Sequence, residues 1–179
     1  MHSYKIEGVI LGRRNYSETD RVITTLTKER GKQNFLARGV RKITSQRGPR
    51  LEVFNHIRGQ IYQGKTWDII GEIETISRFE HLRKNLARIA AAYEICELTD
   101  RLIPENDDAI EILEFILKQL KTLNNKEAIN LKNFLFQFKV NLLIKTGFWP
   151  KDKSISDQKI DRFIEEIIHA KIKSKSIAL

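Results

Sequence analysis

The chain has 179 residues, 41% of them hydrophobic, which is enough to bury a core and excludes an intrinsically disordered polymer. Lys and Arg (32) outnumber Asp and Glu (23), and the net charge of +9 favours polyanionic partners, nucleic acid before an anionic membrane. Cys96 is the only cysteine, so it cannot form an intrachain disulfide, and we expect a buried, unreactive thiol in a reducing compartment. No apolar run reaches the roughly 18 residues that span a bilayer, and the N-terminus lacks the apolar core of a signal peptide, so the predicted location is cytoplasmic.

The first part of the chain has the pattern of a small β-structure. Segments rich in β-branched and aromatic residues alternate with turn residues: SYKIEGVILGRR (3–14), DRVITTLT (20–27), QNFLARGV (33–40), LEVFNHIRGQIY (51–62) and WDIIGEIETI (67–76). Five strands at this spacing are typical of a sandwich or barrel, and glycines within them permit the bends that close a barrel.

From about Phe79 the apolar residues recur every three or four positions, which predicts helices. The predicted helices cover 81–103, 109–123, 127–147 and 156–172. Asn106 or Asp107 is the predicted N-cap of the second, and Gly147 is placed to end the third. The first should bury a stripe formed by Leu82, Leu86, Ile89, Tyr93 and Cys96. The predicted fold is therefore α+β, a five-stranded barrel followed by an all-helical part, with the boundary near 77–80.

One stretch of the predicted barrel is strongly basic. No acidic residue occurs between Glu29 and Glu52, whereas cations recur at Arg30, Lys32, Arg38, Arg41, Lys42, Arg47 and Arg50. A solvated surface usually mixes both signs of charge, so a run of one sign predicts a phosphate-contacting surface. The alternative is a solvated loop without a partner.

The segment GQIYQGKTW (59–67) matches the phosphate-binding pattern G-x-x-x-x-G-K-T at Gly59–Thr66. That pattern binds phosphate only when a strand leads through a loop into a helix, whereas here strand-like residues stand on both sides. We therefore predict a β-hairpin that turns at QGKT, with Lys65 as one more cation at the rim and Trp67 anchored in the core. An ATPase is the weaker alternative. The histidines are scattered and no nucleophile–base pair is recognisable, so a binding module is favoured over an enzyme.

Several motifs resemble the RecO family of recombination mediators. The N-terminal likeness covers 4–42 through EGVIL, the turns YSETDR and TKERGK, and the strand end ARGVRK. LEVFNHIRGQIYQGKTWDII (51–70) resembles the next hairpin of that family, and LLIKTGFWP (142–150) resembles its Leu-Leu-x-x-x-Gly-aromatic-x-Pro turn. The C-terminal IKSKSIAL (172–179) is similar to its basic tail.

The resemblance implies an OB-fold at 1–78 and a helical domain at 79–179. It also implies binding of single- and double-stranded DNA, ATP-independent annealing, and loading of RecA together with RecR onto strands coated by single-stranded DNA-binding protein. Such a protein would be cytoplasmic and nucleoid-associated, with no cofactor and no enzymatic activity. The DNA-binding residues carried over are Lys32, Arg38, Arg41 and Lys42, with Arg47 and Arg50 on the adjoining loop and Arg13 and Arg14 as weaker candidates. The alternative is a protein-interaction adaptor of the repair machinery with weak or no DNA binding.

The chain departs from the family after the GFWP turn. Many members insert a four-cysteine zinc ribbon there, which this segment cannot form because Cys96 is the only cysteine. Phe148 and Trp149 are expected to anchor the core at the turn. The acidic, apolar-ended tail of single-stranded DNA-binding protein would need a basic-rimmed apolar pocket, for which Lys139 and Lys145 are the predicted cations.

Overall fold

The structure is a computed structural model that describes residues 2–105 and 110–174. The predicted N-cap at Asn106 or Asp107 and the last residues of the basic tail, 175–179, lie outside this part of the chain. Five strands come first: β1 (Ser3–Asn15), β2 (Arg21–Thr27), β3 (Gly31–Ala37), β4 (His56–Tyr62) and β5 (Ile69–Ser77). Four helices follow: α1 (Leu86–Leu102), α2 (Ile110–Asn124), α3 (Leu131–Lys145) and α4 (Asp157–Ile168).

The strands form a closed barrel in the order β1-β2-β3-β5-β4. The long β1 pairs antiparallel with β4 through its first half and with β2 through its second half. Its register shifts between Ile10 and Gly12, which bends the strand so that it can serve both neighbours. A short parallel pairing of Leu36 with Ile69 closes the barrel between β3 and β5. This is the topology of an OB-fold, so the predicted fold class is confirmed.

Gly8 is the point at which β1 is shared between two neighbouring strands. It pairs with Thr27 of β2 and with Ile57 of β4. A Cβ atom at this position would lie 2.2 Å from the Leu26 carbonyl oxygen, which belongs to the backbone and cannot rotate away. Only glycine therefore permits the close approach of strands that this barrel requires.

Alternation along the strands separates an inner from an outer apolar face. Side chains directed into the barrel form one core, which comprises Ile6, Ile10, Ile23, Phe35, Ala37, Val40, Leu51, Ile57, Ile61, Ile70 and Ile73. Residues of opposite parity, among them Val9 and Leu26, pack instead against the helices. The barrel therefore has apolar residues on both sides of β1 and β2.

All four helices lie at the predicted places, but α1 begins at Leu86 and not at 81, α3 begins at Leu131 and not at 127, and α4 ends at Ile168 and not at 172. Local signals mark several of the observed ends. The Asn85 side chain caps α1 by accepting from the Arg88 amide at 3.0 Å, and the Asn130 side chain caps α3 through the Asn133 amide at 3.1 Å. Gly147 follows α3 with a φ of +78°, as predicted for a residue that ends a helix.

The buried face predicted for the first helix is partly wrong. Leu82 lies in a separate 3-10 turn before α1, and Leu86 is 67% exposed in the first turn of the helix. Burial falls instead on Ala91, Ala92 and their neighbours, because α1 contacts β1, α2 and α3 and is covered on several sides. A helix surrounded in this way has no single apolar stripe that the sequence could reveal.

A second core runs across the predicted boundary between barrel and helices. Val9, Leu11, Leu26 and Phe54 from the barrel side join the buried faces of all four helices in one cluster. The boundary predicted at 78/79 falls between the end of β5 and the 3-10 turn that starts at Leu82. Cys96 is fully buried here, as predicted, and burial raises the pKa of its thiol to about 12.

The G-x-x-x-x-G-K-T segment forms a hairpin, as predicted. Its first residues belong to β4, which pairs antiparallel with β5 directly after the turn. The Gly64 amide donates to the Asp68 carboxylate at 3.2 Å, within the turn itself. The next element after Thr66 is strand β5 and not a helix, so the amides of this segment do not form the phosphate cradle of an ATPase.

Candidate nucleic-acid interface

Three loops meet at one end of the barrel. They are the β1–β2 loop (16–20), the basic loop after β3 (38–47) and the β4–β5 loop (63–68). The Arg41 amide donates to the Thr19 carbonyl oxygen at 2.9 Å, and the Leu36 amide donates to the Asp68 carbonyl oxygen at 2.9 Å. We call the surface formed by these three loops the loop rim.

Asp20 holds the basic loop against the β1–β2 loop. Its carboxylate accepts from the Gly39 amide at 2.8 Å and from the Thr19 hydroxyl at 2.9 Å. The hydrogen bond from Gly39 is the main cause that keeps the pKa of Asp20 below its usual value. Gly39 has a φ of +65°, a left-handed conformation that turns its amide toward Asp20 with no Cβ penalty.

The basic loop exposes three of the predicted DNA-binding cations together. Arg38, Arg41 and Lys42 are all exposed to solvent. One guanidinium nitrogen of Arg41 donates to the Ser17 carbonyl oxygen at 2.6 Å, which orients the group while it remains accessible. Charges held this way can neutralise phosphates with little loss of side-chain entropy.

Two aromatic side chains lie beside these cations. Tyr16 and Trp67 come from different loops and meet edge to face, with ring centroids 5.9 Å apart and planes at 71°. The Arg14 guanidinium lies 5.9 Å from the centre of the Trp67 ring. Tyr16 is 52% exposed and Trp67 half-buried, so the prediction that Trp67 anchors the core is wrong. Aromatics with an adjacent arginine are the groups on which unpaired bases stack.

Arg47 and Arg50 are engaged in holding the barrel together. Arg47 donates to the carbonyl oxygens of Arg38, at 2.6 Å, and of Ile70, at 3.1 Å. Arg50 donates to the Ile73 carbonyl oxygen at 2.8 Å. These guanidinium groups satisfy main-chain acceptors of β5 where β3 pairs with it only briefly. Their first role is structural, which leaves fewer donors for phosphate than the sequence suggested.

Lys32 does not belong to an accessible interface. Only 8% of the residue is exposed, and its side chain contacts Asp100 near the end of α1. Its ammonium group donates to the Asp100 carbonyl oxygen at 2.5 Å and lies 3.3 Å from the Asp100 carboxylate. A buried and paired lysine is a poor phosphate ligand, so we remove Lys32 from the candidate site.

Arg13 and Arg14 differ in their surroundings. Arg13 is ion-paired with Glu52, whereas Arg14 lies at Trp67. Arg21, which the sequence did not single out, lies near Arg13: burial first, and then the charge of Arg13, lowers its pKa. The sequence could have placed Arg21 near Arg13 only through its position at the start of β2, which pairs with the end of β1.

A groove of about 820 Å³ runs along β4 and β5. Lys5, Arg47, Arg50 and Arg58 line it together with Glu72 and Glu74. Arg58 is paired with Glu7 at 2.8 Å, so part of the positive charge is neutralised locally. The groove thus carries both signs of charge.

The two lysines predicted to contact a protein partner differ in their exposure to solvent. Lys139 is only 6% exposed, and its ammonium group lies 2.6 Å from Glu94 and 2.7 Å from Asp161. It belongs to the helical core and is unavailable to a partner. Lys145 is exposed and lies 5.7 Å from the ring centre of Phe115.

A separate groove of about 490 Å³ lies where α4 follows the GFWP turn. Trp149 and Phe163 form its aromatic floor, with ring centroids 5.0 Å apart. Ile155 adds apolar surface, and Lys159 and Arg162 supply positive charge. Glu166 also lines the groove and is ion-paired with Arg162 at 3.1 Å. Trp149 packs against the helical core as predicted, but Phe148 is 43% exposed and does not anchor it. We call this feature the Trp149 groove.

Two findings concern other kinds of site. Within residues 2–105 and 110–174, no three His, Cys, Asp or Glu side chains are grouped so as to hold a metal ion. The helices of the same ranges are all too short or too polar to cross a membrane.

Comparison with protein families gives two adjoining matches. Residues 1–79 match the family model described as recombination protein O N terminal, and residues 83–153 match recombination protein O C terminal. The chain belongs to the RecO family. The two matches divide the chain where the barrel of this RecO-family protein meets its helices.

Individual relatives agree with the family assignment, and each is named DNA repair protein RecO. The relative from Symbiobacterium thermophilum is 30% identical over 150 residues, which cover 84% of this chain and 59% of the relative. Those from Roseiflexus sp. and Heliobacterium modesticaldum are 35% identical, over 83% and 84% of this chain and 51% and 54% of their own lengths. The chain thus spans little more than half the length of these RecO relatives.

Proposed function

We propose that this RecO-family protein binds single- and double-stranded DNA without sequence preference and anneals complementary strands without ATP. The observation that carries the proposal is the loop rim, where three exposed cations of one loop stand beside an aromatic pair from two others. Cations that contact phosphates supply affinity for any sequence, and aromatic rings accept any base.

The remaining roles rest on the family alone. We propose that the protein acts with RecR and single-stranded DNA-binding protein to help load RecA, in the cytoplasm and associated with the nucleoid. It would do so as a binding protein and not as an enzyme, because the only nucleotide-binding pattern in the sequence lies in a hairpin. The proposed phosphate contacts are Arg38, Arg41, Lys42 and Lys65 of the loop rim, together with Arg14 of β1, which lies at Trp67.

Binding to a fluorescent single strand of mixed sequence across a salt series tests the proposal. Five phosphate contacts at about 0.7 counterions each predict a slope of about −3.5 for log K against log salt. Affinity should then fall about 100-fold between 50 and 200 mM salt. Undetectable binding, or affinity that does not change with salt, would contradict the proposal.

An abasic strand of equal length provides the matched control for stacking. Its phosphates are intact but it has no bases to place on Tyr16 and Trp67. Because stacking contributes about 1–3 kcal/mol per base, the abasic strand should bind at least about tenfold more weakly with the same salt slope. Equal affinities would remove the aromatic pair from the site and leave the cations.

The second candidate is an adaptor that binds a protein partner and little DNA. The Trp149 groove favours it, because an apolar floor beside Lys159 and Arg162 fits an acidic peptide with an apolar end. A labelled peptide of that chemistry should bind the wild type and lose binding in Trp149→Ala when measured by fluorescence anisotropy. Peptide binding combined with undetectable DNA binding would favour the adaptor over the first proposal.

A further inference from the structure

Ile43 stands at the tip of the basic loop with its side chain fully in water, at a relative exposure of 105%. No other large hydrophobic residue of the described ranges is exposed to that extent. A branched apolar side chain in water gains free energy when a partner covers it.

The loop that carries Ile43 is held at both ends. Arg47 bridges its arms by donating to the Arg38 carbonyl oxygen at 2.6 Å and to β5 at the Ile70 carbonyl oxygen. One tight turn before Ile43 is closed by the Lys42 amide, which donates to the Gly39 carbonyl oxygen. The next turn contains Ile43 and is closed by the Ser45 amide, which donates to the Lys42 carbonyl oxygen. These hydrogen bonds fix the two ends of the loop to each other and to β5, while Ile43 lies in solvent.

The charge around Ile43 selects the kind of partner. Arg41 and Lys42 precede it directly, and Arg38 is on the same loop. All three are exposed, and no acidic residue belongs to the loop. A protein hot spot needs a wider apolar patch, whereas a single apolar side chain among cations matches a wedge that enters a base stack while its neighbours hold phosphates.

We propose that Ile43 is an apolar wedge that inserts between adjacent base pairs of bound duplex DNA and locally unstacks them. The inference rests on the proposed function, because the cations of the loop rim must bring the duplex to the tip. Insertion should favour flexible pyrimidine–purine steps, which unstack at the least cost. The wedge would thus give a sequence-independent binder a way to open a duplex without ATP.

A duplex with 2-aminopurine at a TA step tests the wedge, since the fluorescence of this base rises when it unstacks. The wild type should raise the signal severalfold at saturation, and Ile43→Ala should lose most of that rise. The affinity of Ile43→Ala should fall only about fivefold with an unchanged salt slope, because phosphate contacts dominate binding. Ile76→Ala is the matched control, as Ile76 is also exposed, at 41%, but lies on β5.

The outcomes separate the two proposals. A fluorescence rise that survives in Ile43→Ala, or is absent from a wild type that binds the duplex with the expected salt slope, overturns the wedge and leaves DNA binding intact. A wild type that binds no DNA overturns both. If Ile43→Ala keeps the 2-aminopurine fluorescence rise but loses binding to anionic phospholipid vesicles, Ile43 inserts into membranes and the wedge is again overturned.

Discussion

Replacing Arg38, Arg41 and Lys42 together with glutamine should weaken binding to every DNA sequence alike. If each cation releases about 0.7 counterions from a single strand, the salt slope becomes shallower by about 2. At 0.1 M salt the same loss corresponds to an affinity about 100-fold lower. Fluorescence anisotropy with two unrelated sequences over a salt series measures both quantities.

The matched control removes the same charge elsewhere. Lys118, Lys121 and Lys126 are exposed cations on α2 and the loop that follows it, and replacing them with glutamine changes the net charge equally. This control should shift affinity only slightly, through the overall field of the protein. If both triple variants behave alike, binding follows net charge and the loop rim is not the site.

A second large effect is expected from Lys139→Met in the helical core. Lys139 connects α3 to Glu94 of α1 and Asp161 of α4. Burial alone would lower its pKa, but the two carboxylates outweigh burial and raise it. Removing the ammonium leaves Glu94 buried without its counter-charge, which should cost about 3–5 kcal/mol of unfolding free energy in urea denaturation.

The double variant Lys139→Met with Glu94→Gln tests that explanation. It leaves no buried charge on Glu94, while Asp161 is accessible enough to be solvated. Most of the lost stability should return, since the penalty arises from the unpaired carboxylate. Lys145→Met, at an exposed position of the same helix, should change stability by less than about 0.5 kcal/mol. A double variant no more stable than Lys139→Met would contradict the buried ion pair.

The strands and helices were predictable because each segment carries its own signal. The β-branched residues of β1 and β2 and the three-to-four spacing along α2 depend only on local residues. The hairpin at Gly64 was predictable for the same reason, since strand-like residues stand on both sides of the turn.

The roles of the basic residues were less predictable, because they depend on contacts distant in sequence. Lys32 has the same local surroundings as an exposed strand lysine, and only the packing of α1, 68 residues later, buries it at Asp100. Arg47 belongs to a polar loop, yet β5 supplies its acceptors. Trp67 was predicted to be a core residue, but its ring packs at the surface against Tyr16, which belongs to a loop distant in sequence.

The apolar cluster shared by barrel and helices means that neither part can be removed without exposing the core of the other. Val9, Leu11, Leu26 and Phe54 contribute to that cluster from the barrel side, and α1 packs against β1. A fragment cut after β5 would bare these side chains and leave Lys32 without Asp100. The loop rim and the Trp149 groove therefore belong to two parts of the chain that share one apolar core.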